Sequence, residues 1–112
     1  MSKVLFAVLA VAVVAASPPL PQPGARPVVL TLKNHRFSPD TVTVTAGTPI
    51  DVTLINQDAA IEEFDSDDLD LEETAHPGET IHFRIPAQIP GQYDFMGEFH
   101  SSTARGRLIV MP

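Results

Sequence analysis

The side chains best suited to hold a metal ion in this chain are four histidines, fourteen carboxylates and three methionines; cysteine is absent. A copper–thiolate bond, and the intense colour it produces, is therefore excluded. His100 has the richest setting, because Met96 and Glu98 precede it at alternate positions. In extended backbone the three would share one face. Glu63 stands just before Phe64, an aromatic that reads as core. Glu62 beside it would point to the opposite face, so the two glutamates are not expected to serve one ion together. His35 lies just ahead of the Ser38-Pro39-Asp40 turn. Imidazole with carboxylate suits iron or Cu(II), and a thioether adds affinity for Cu(I). His76, in the His76-Pro77-Gly78 turn, and His82, on a polar face, read as surface histidines. Ser101, Ser102 and Thr103 follow His100, but adjacency in sequence is not triad geometry. No glycine- or serine-rich loop has the form that cradles phosphate.

The elements that must position these groups are strands. Leu30 and Leu32, Val42 and Val44, Ile50, Val52 and Leu54, Ile81, Phe83 and Ile85, and Tyr93 and Phe95 each alternate with polar neighbours. That is the signature of half-buried strands with one face to a core. Turn residues separate them at Ala46-Gly47-Thr48, Asn56-Gln57-Asp58 and Ile89-Pro90-Gly91. Short strands without a long amphipathic helix indicate an all-β antiparallel sandwich in a single domain. The charged stretch from Ser66 to Thr74 reads as a loop with one helical turn.

Residues 1–16 read as a secretory signal peptide: Lys3, an apolar run from Val4 to Val14, and small residues at the end. The run is shorter than the roughly 20 residues a spanning helix needs. The expectation is export to the periplasm with no membrane anchor after cleavage. Residues 17–27 are proline-rich and read as an extended leader, leaving 28–112 as the domain. The net charge of −7 is concentrated in the acidic stretch from Glu62 to Glu73. Such a surface repels phosphate backbones, which argues against nucleic acid as a partner, and favours cations or a basic protein patch.

Three segments carry a family resemblance. Phe37-Ser38-Pro39 followed by Val42-Thr43-Val44-Thr45-Ala46-Gly47, the turn after Leu54, and Gly91-Gln92-Tyr93-Asp94-Phe95 running through His100 to Gly106-Arg107-Leu108-Ile109-Val110 together resemble the cupredoxins. These are Greek-key copper-binding sandwiches. By this resemblance the first histidine ligand falls near Glu62, the cysteine at Gly97, the second histidine at His100 and the axial methionine near Ala104. Only His100 is retained. Glu63-Phe64 and Gly97-Glu98-Phe99-His100 are similar to a branch that accompanies bacterial iron permeases, above all the small periplasmic component of ferrous-iron transport. That resemblance implies a type 2-like copper or iron site drawn from His100, Glu63, Met96, His35 and Glu98. It also implies a role in iron uptake, by binding or oxidising Fe(II) for a permease, with a copper carrier or a metal-free interaction module as alternatives.

Overall fold

The computed structural model describes residues 24–112; the residues read as a signal peptide, and most of those read as a leader, lie outside the described residues. Nine strands follow in order: β1 Arg26–Lys33, β2 Arg36–Ser38, β3 Thr41–Thr45, β4 Ile50–Asn56, β5 Glu62–Ser66, β6 Leu71–Ala75, β7 Thr80–Ile85, β8 Gly91–Gly97 and β9 Arg105–Met111. A 3-10 turn, Glu98–His100, separates the last two. One sheet has the order β2-β1-β4-β7 and the other β3-β9-β8-β5-β6. The two stack as a sandwich, as the alternation requires.

The pairing is mixed. β1 runs parallel to β4 and β3 parallel to β9, whereas the hairpin neighbours are antiparallel. Both parallel pairs arise because the chain crosses between sheets after β2 and before β4. β1 starts at Arg26, two residues inside the stretch read as leader. Pro27 is tolerated there because β2 pairs only with Thr31 to Lys33, leaving this end of β1 a neighbour on one side only.

Between the sheets lies an aromatic core. Phe37, Phe64, Phe83 and Phe95 are buried, with ring centroids 4.9 to 6.1 Å apart for the touching pairs. Leu30, Leu32, Ile50, Val52, Leu54, Leu108 and Val110 surround them. Each such side chain contributes about 1.5–3 kcal/mol on burial. Gly106 permits the closest approach: a Cβ there would stand 2.3 Å from the Phe95 ring.

The stretch read as a loop is in fact a hairpin. β5 and β6 pair from Glu62↔Ala75 to Ser66↔Leu71. β6 is an edge strand, and there charged side chains are compatible with a ladder because one face and one edge meet water.

Candidate metal centre

The loop from Gly97 to Ala104 presents His100. Gly97 N–H donates to the Ala104 carbonyl at 2.9 Å, and the N–H groups of Thr103 and Ala104 donate to the His100 carbonyl at 3.1 and 2.9 Å. These bonds close the loop on itself. They also end the extended geometry at Gly97, so the alternation Met96, Glu98, His100 does not place the three on one face. Met96 stays on the outer face of the five-stranded sheet, between Asp65 and Arg105 in the register. Glu98 lies close enough to Glu63 to raise its carboxyl. His100 turns to the end of the sandwich, where its partner is Glu62.

Glu62 is 1 % exposed. One carboxylate oxygen, Oε1, accepts from the N–H of Glu63 at 3.0 Å and of Phe99 at 2.9 Å; Oε2 lies 2.5 Å from His100 Nδ1. With Oε1 taking two backbone donors, Oε2 is the oxygen left to face the His100 ring, and an N–H on Nδ1 would complete the set. The space for this carboxylate comes from Gly97. A Cβ on Gly97 would meet Glu62 Cδ at 2.6 Å and the buried Ala104 Cβ at 2.8 Å.

His35 covers the outer side of His100, with ring centroids 3.7 Å apart and planes within 10°. It reaches there from a two-residue hairpin in which Asn34 and His35 both have positive φ, 52° and 56°. Such turns favour glycine in the second position, and a non-glycine residue in this region costs roughly 1–2 kcal/mol. Asp58 offsets part of that cost. Its Oδ1 accepts the Asn34 N–H at 2.7 Å, its Oδ2 accepts the His35 N–H at 2.9 Å, and Oδ2 also lies 3.6 Å from His35 Nδ1. Burial works to raise the Asp58 carboxyl, but the two turn N–H groups and the nearby His35 and His100 together hold it below its ordinary value. Asp58 is itself placed by buried Asn56, whose Oδ1 accepts its N–H at 3.0 Å and whose amide donates to the carbonyls of Ala60 and Ala75.

The site residues expected from sequence thus fall into two groups. His100 and His35 meet at the end of the sandwich. Glu63 and Glu98 meet on the outer face, where oxygens of Glu63, Asp65 and Glu72 lie within 4.8 Å of one another. The Glu98 contact pushes the Glu63 carboxyl up from its usual range, with burial and the charges of Glu98, Glu72 and Asp65 adding to it. Asp65 is also raised, by burial and by Glu98 and Asp67. Two participants were not among the expected ligands. Glu62 was marked by the family's first ligand position, whereas Asp58 lay in a segment read only as a turn, Asn56-Gln57-Asp58, with nothing to link it to His35.

These features meet a known family. The profile of the cupredoxin-like domain matches residues 4–110, and the chain belongs to that family. It is 41 % identical over 83 residues to the uncharacterized protein RP394 of Rickettsia prowazekii (strain Madrid E), covering 74 % of this chain and 66 % of that protein. The fold is similar to auracyanin A, a blue copper protein of Chloroflexus aurantiacus, at a TM-score of 0.68 and 15 % identity over 79 % of this chain and all of that one. It is also similar to the metal-binding domain of the Cu(I)-exporting P-type ATPase CopA of Streptococcus pneumoniae D39, at 0.71 and 15 % identity over 81 % and 90 %.

A copper ion buried at the family position does not fit these residues. Gly97 and Ala104 offer no ligand atom, Glu62 fills the space beside both, and the His100 nitrogen facing inward already holds the Glu62 carboxylate.

Proposed function

We propose that this is a non-blue metal-binding protein of the periplasm that takes a copper or iron ion at the exposed edge of His100 and His35. Its role is to support iron uptake, holding Fe(II) for a permease or oxidising it with an external electron acceptor. One observation carries the reading: two stacked, partly exposed imidazoles, each with a carboxylate on its Nδ1 side. Metal-ligating histidines commonly have such a carboxylate on the nitrogen remote from the ion. The Glu63, Asp65, Glu72 and Glu98 carboxylates add hard oxygen donors on the adjoining face, which suits iron. A copper carrier is the second reading, supported by the copper-binding relatives that share the fold.

Titration of the mature protein with Cu(II) and Fe(II) tests this. Cu(II) should give a pale type 2 EPR signal with wide hyperfine splitting and no intense blue band. His100→Ala should weaken binding at least about tenfold, and His76→Ala and His82→Ala should leave it unchanged. No binding by the wild type would overturn the reading in favour of a metal-free interaction module. Equal affinities across the variants would remove His100 from the site.

A further inference from the structure

We propose that a metal ion is held from outside through Nε2 of His100, with Glu62 closing the inner side of the ring as the positioning carboxylate on Nδ1. This rests on the metal-binding reading above and specifies its ligand atom and its geometry.

The inward side of His100 is closed. Glu62 accepts two backbone N–H groups on one oxygen and places the other 2.5 Å from His100 Nδ1. A carboxylate has about four acceptor sites, so its charge is answered from within the protein. Gly97 and Ala104 crowd the same volume: the Glu62 Cδ stands 2.6 Å from the place of a Gly97 Cβ. A neutral imidazole carries one N–H, and the carboxylate claims it on Nδ1. The lone pair is left on Nε2 of a ring whose side chain is 28 % exposed.

His35 follows the same logic in weaker form. Asp58 lies 3.6 Å from its Nδ1, too far for a hydrogen bond but within ion-pair reach, and favours the same tautomer. Stacked rings hold their lone pairs in parallel planes, so one ring must tilt to share an ion. His35 has the freedom to do so, with 43 % of its side chain exposed.

The decisive variant is Glu62→Gln. Its amide oxygen can keep the two backbone donors, which turns the NH2 group toward His100 Nδ1. Two donors cannot face each other, so the ring proton must move to Nε2, blocking the outward lone pair. Imidazole 15N and 13C NMR reads the tautomers of the metal-free protein, and the same spectra with Zn(II) show which nitrogen is metallated. The expected result is an Nδ1–H tautomer at His100 in the wild type and metallation at Nε2. In Glu62→Gln the tautomer should reverse, and Zn(II) affinity should fall by about 10- to 100-fold with the sandwich intact by circular dichroism.

Metallation of wild-type His100 at Nδ1, with Glu62 displaced, would overturn this inference and leave the metal-binding function standing. Absence of Zn(II) and Cu(II) binding by the wild type would overturn the function, and the assignment of Nε2 with it. If Glu62→Gln does not fold, the wild-type spectra alone decide between the two ring nitrogens.

Discussion

Glu62 and Glu63 are neighbours in sequence and opposites in circumstance. Glu62 points inward, is almost completely buried, and has two backbone N–H groups and the His100 ring at its carboxylate. Glu63 points outward among Glu98, Asp65 and Glu72, where the Glu98 contact, burial and the like charges around it raise its carboxyl. One peptide step along a strand reverses the side-chain direction, and with it the meaning of a negative charge. Inside, the carboxylate ties the start of β5 to the Gly97–Ala104 loop; outside, it adds to a cluster of like charges that a cation or basic partner could satisfy.

The sharpest way to break this contrast is to remove each carboxylate in turn. Glu62→Ala should cost about 1–3 kcal/mol, because it leaves the part-buried N–H groups of Glu63 and Phe99 without their acceptor. Glu63→Ala should change stability by less than about 0.5 kcal/mol. Urea denaturation of both measures the difference, and equal losses would abolish the distinction.

Restoring the family's cysteine probes the inner side from another direction. Gly97→Cys should destabilise by about 1–3 kcal/mol through overpacking against Glu62 and Ala104. The double variant with Glu62→Ala should be better than the sum of the two single losses. Strict additivity would mean that the two side chains do not compete for the same space.

His35→Gly separates folding from binding. Glycine suits the positive-φ turn position, so the fold should be unchanged or up to about 1 kcal/mol more stable, while Cu(II) binding weakens. A calorimetric titration alongside a melting curve would show it. Retained affinity would limit His35 to a cover over His100.

The smallest effects concern pH. Glu63 and Asp65 have folded values above their unfolded ones, so their contribution is fully present below the unfolded values and is lost as pH rises through the raised folded ones. Asp58 is the reverse: its contribution is present above the unfolded value and disappears only as pH falls through the depressed folded one. Mild acidification from neutrality should therefore relieve the outer face before it weakens the His35 turn. Glu63→Gln and Asp65→Asn should flatten the mildly acidic rise in melting temperature, and Asp58→Asn the fall at lower pH.

The fold was legible because its determinants are local. The alternation of Ile50 to Leu54 and of Tyr93 to Phe95, and the glycines around the last hairpin, specify strands and turns wherever they occur. β6 was not legible, because its tolerance for Glu72 and Glu73 depends on being at a sheet edge, which neighbouring residues do not reveal. Of the candidate site, His100 and His35 could be singled out in the sequence, but that they stack on one another, and what lies behind them, could not. Glu62, the first of two adjacent glutamates at the start of a strand, looks like an ordinary strand acid, and it is chiefly the N–H of Phe99 and the ring of His100, both far along the chain, that make its burial tolerable. Likewise the alternation of Met96, Glu98 and His100 fails because the hydrogen bonds of the Gly97–Ala104 loop tighten the backbone into a 3-10 turn.

The acidic edge strand has a consequence for how copies of the protein meet. Among the described residues no strand pairs with the outer edge of β6, and such an edge could recruit a further strand and seed aggregation. If two copies approached edge to edge there, Glu72 and Glu73 of each would be forced together at short range. Repulsion of this kind reaches about 8 Å at physiological ionic strength, so the strand that borders the sandwich also guards it against self-association, and that protection weakens as salt concentration rises.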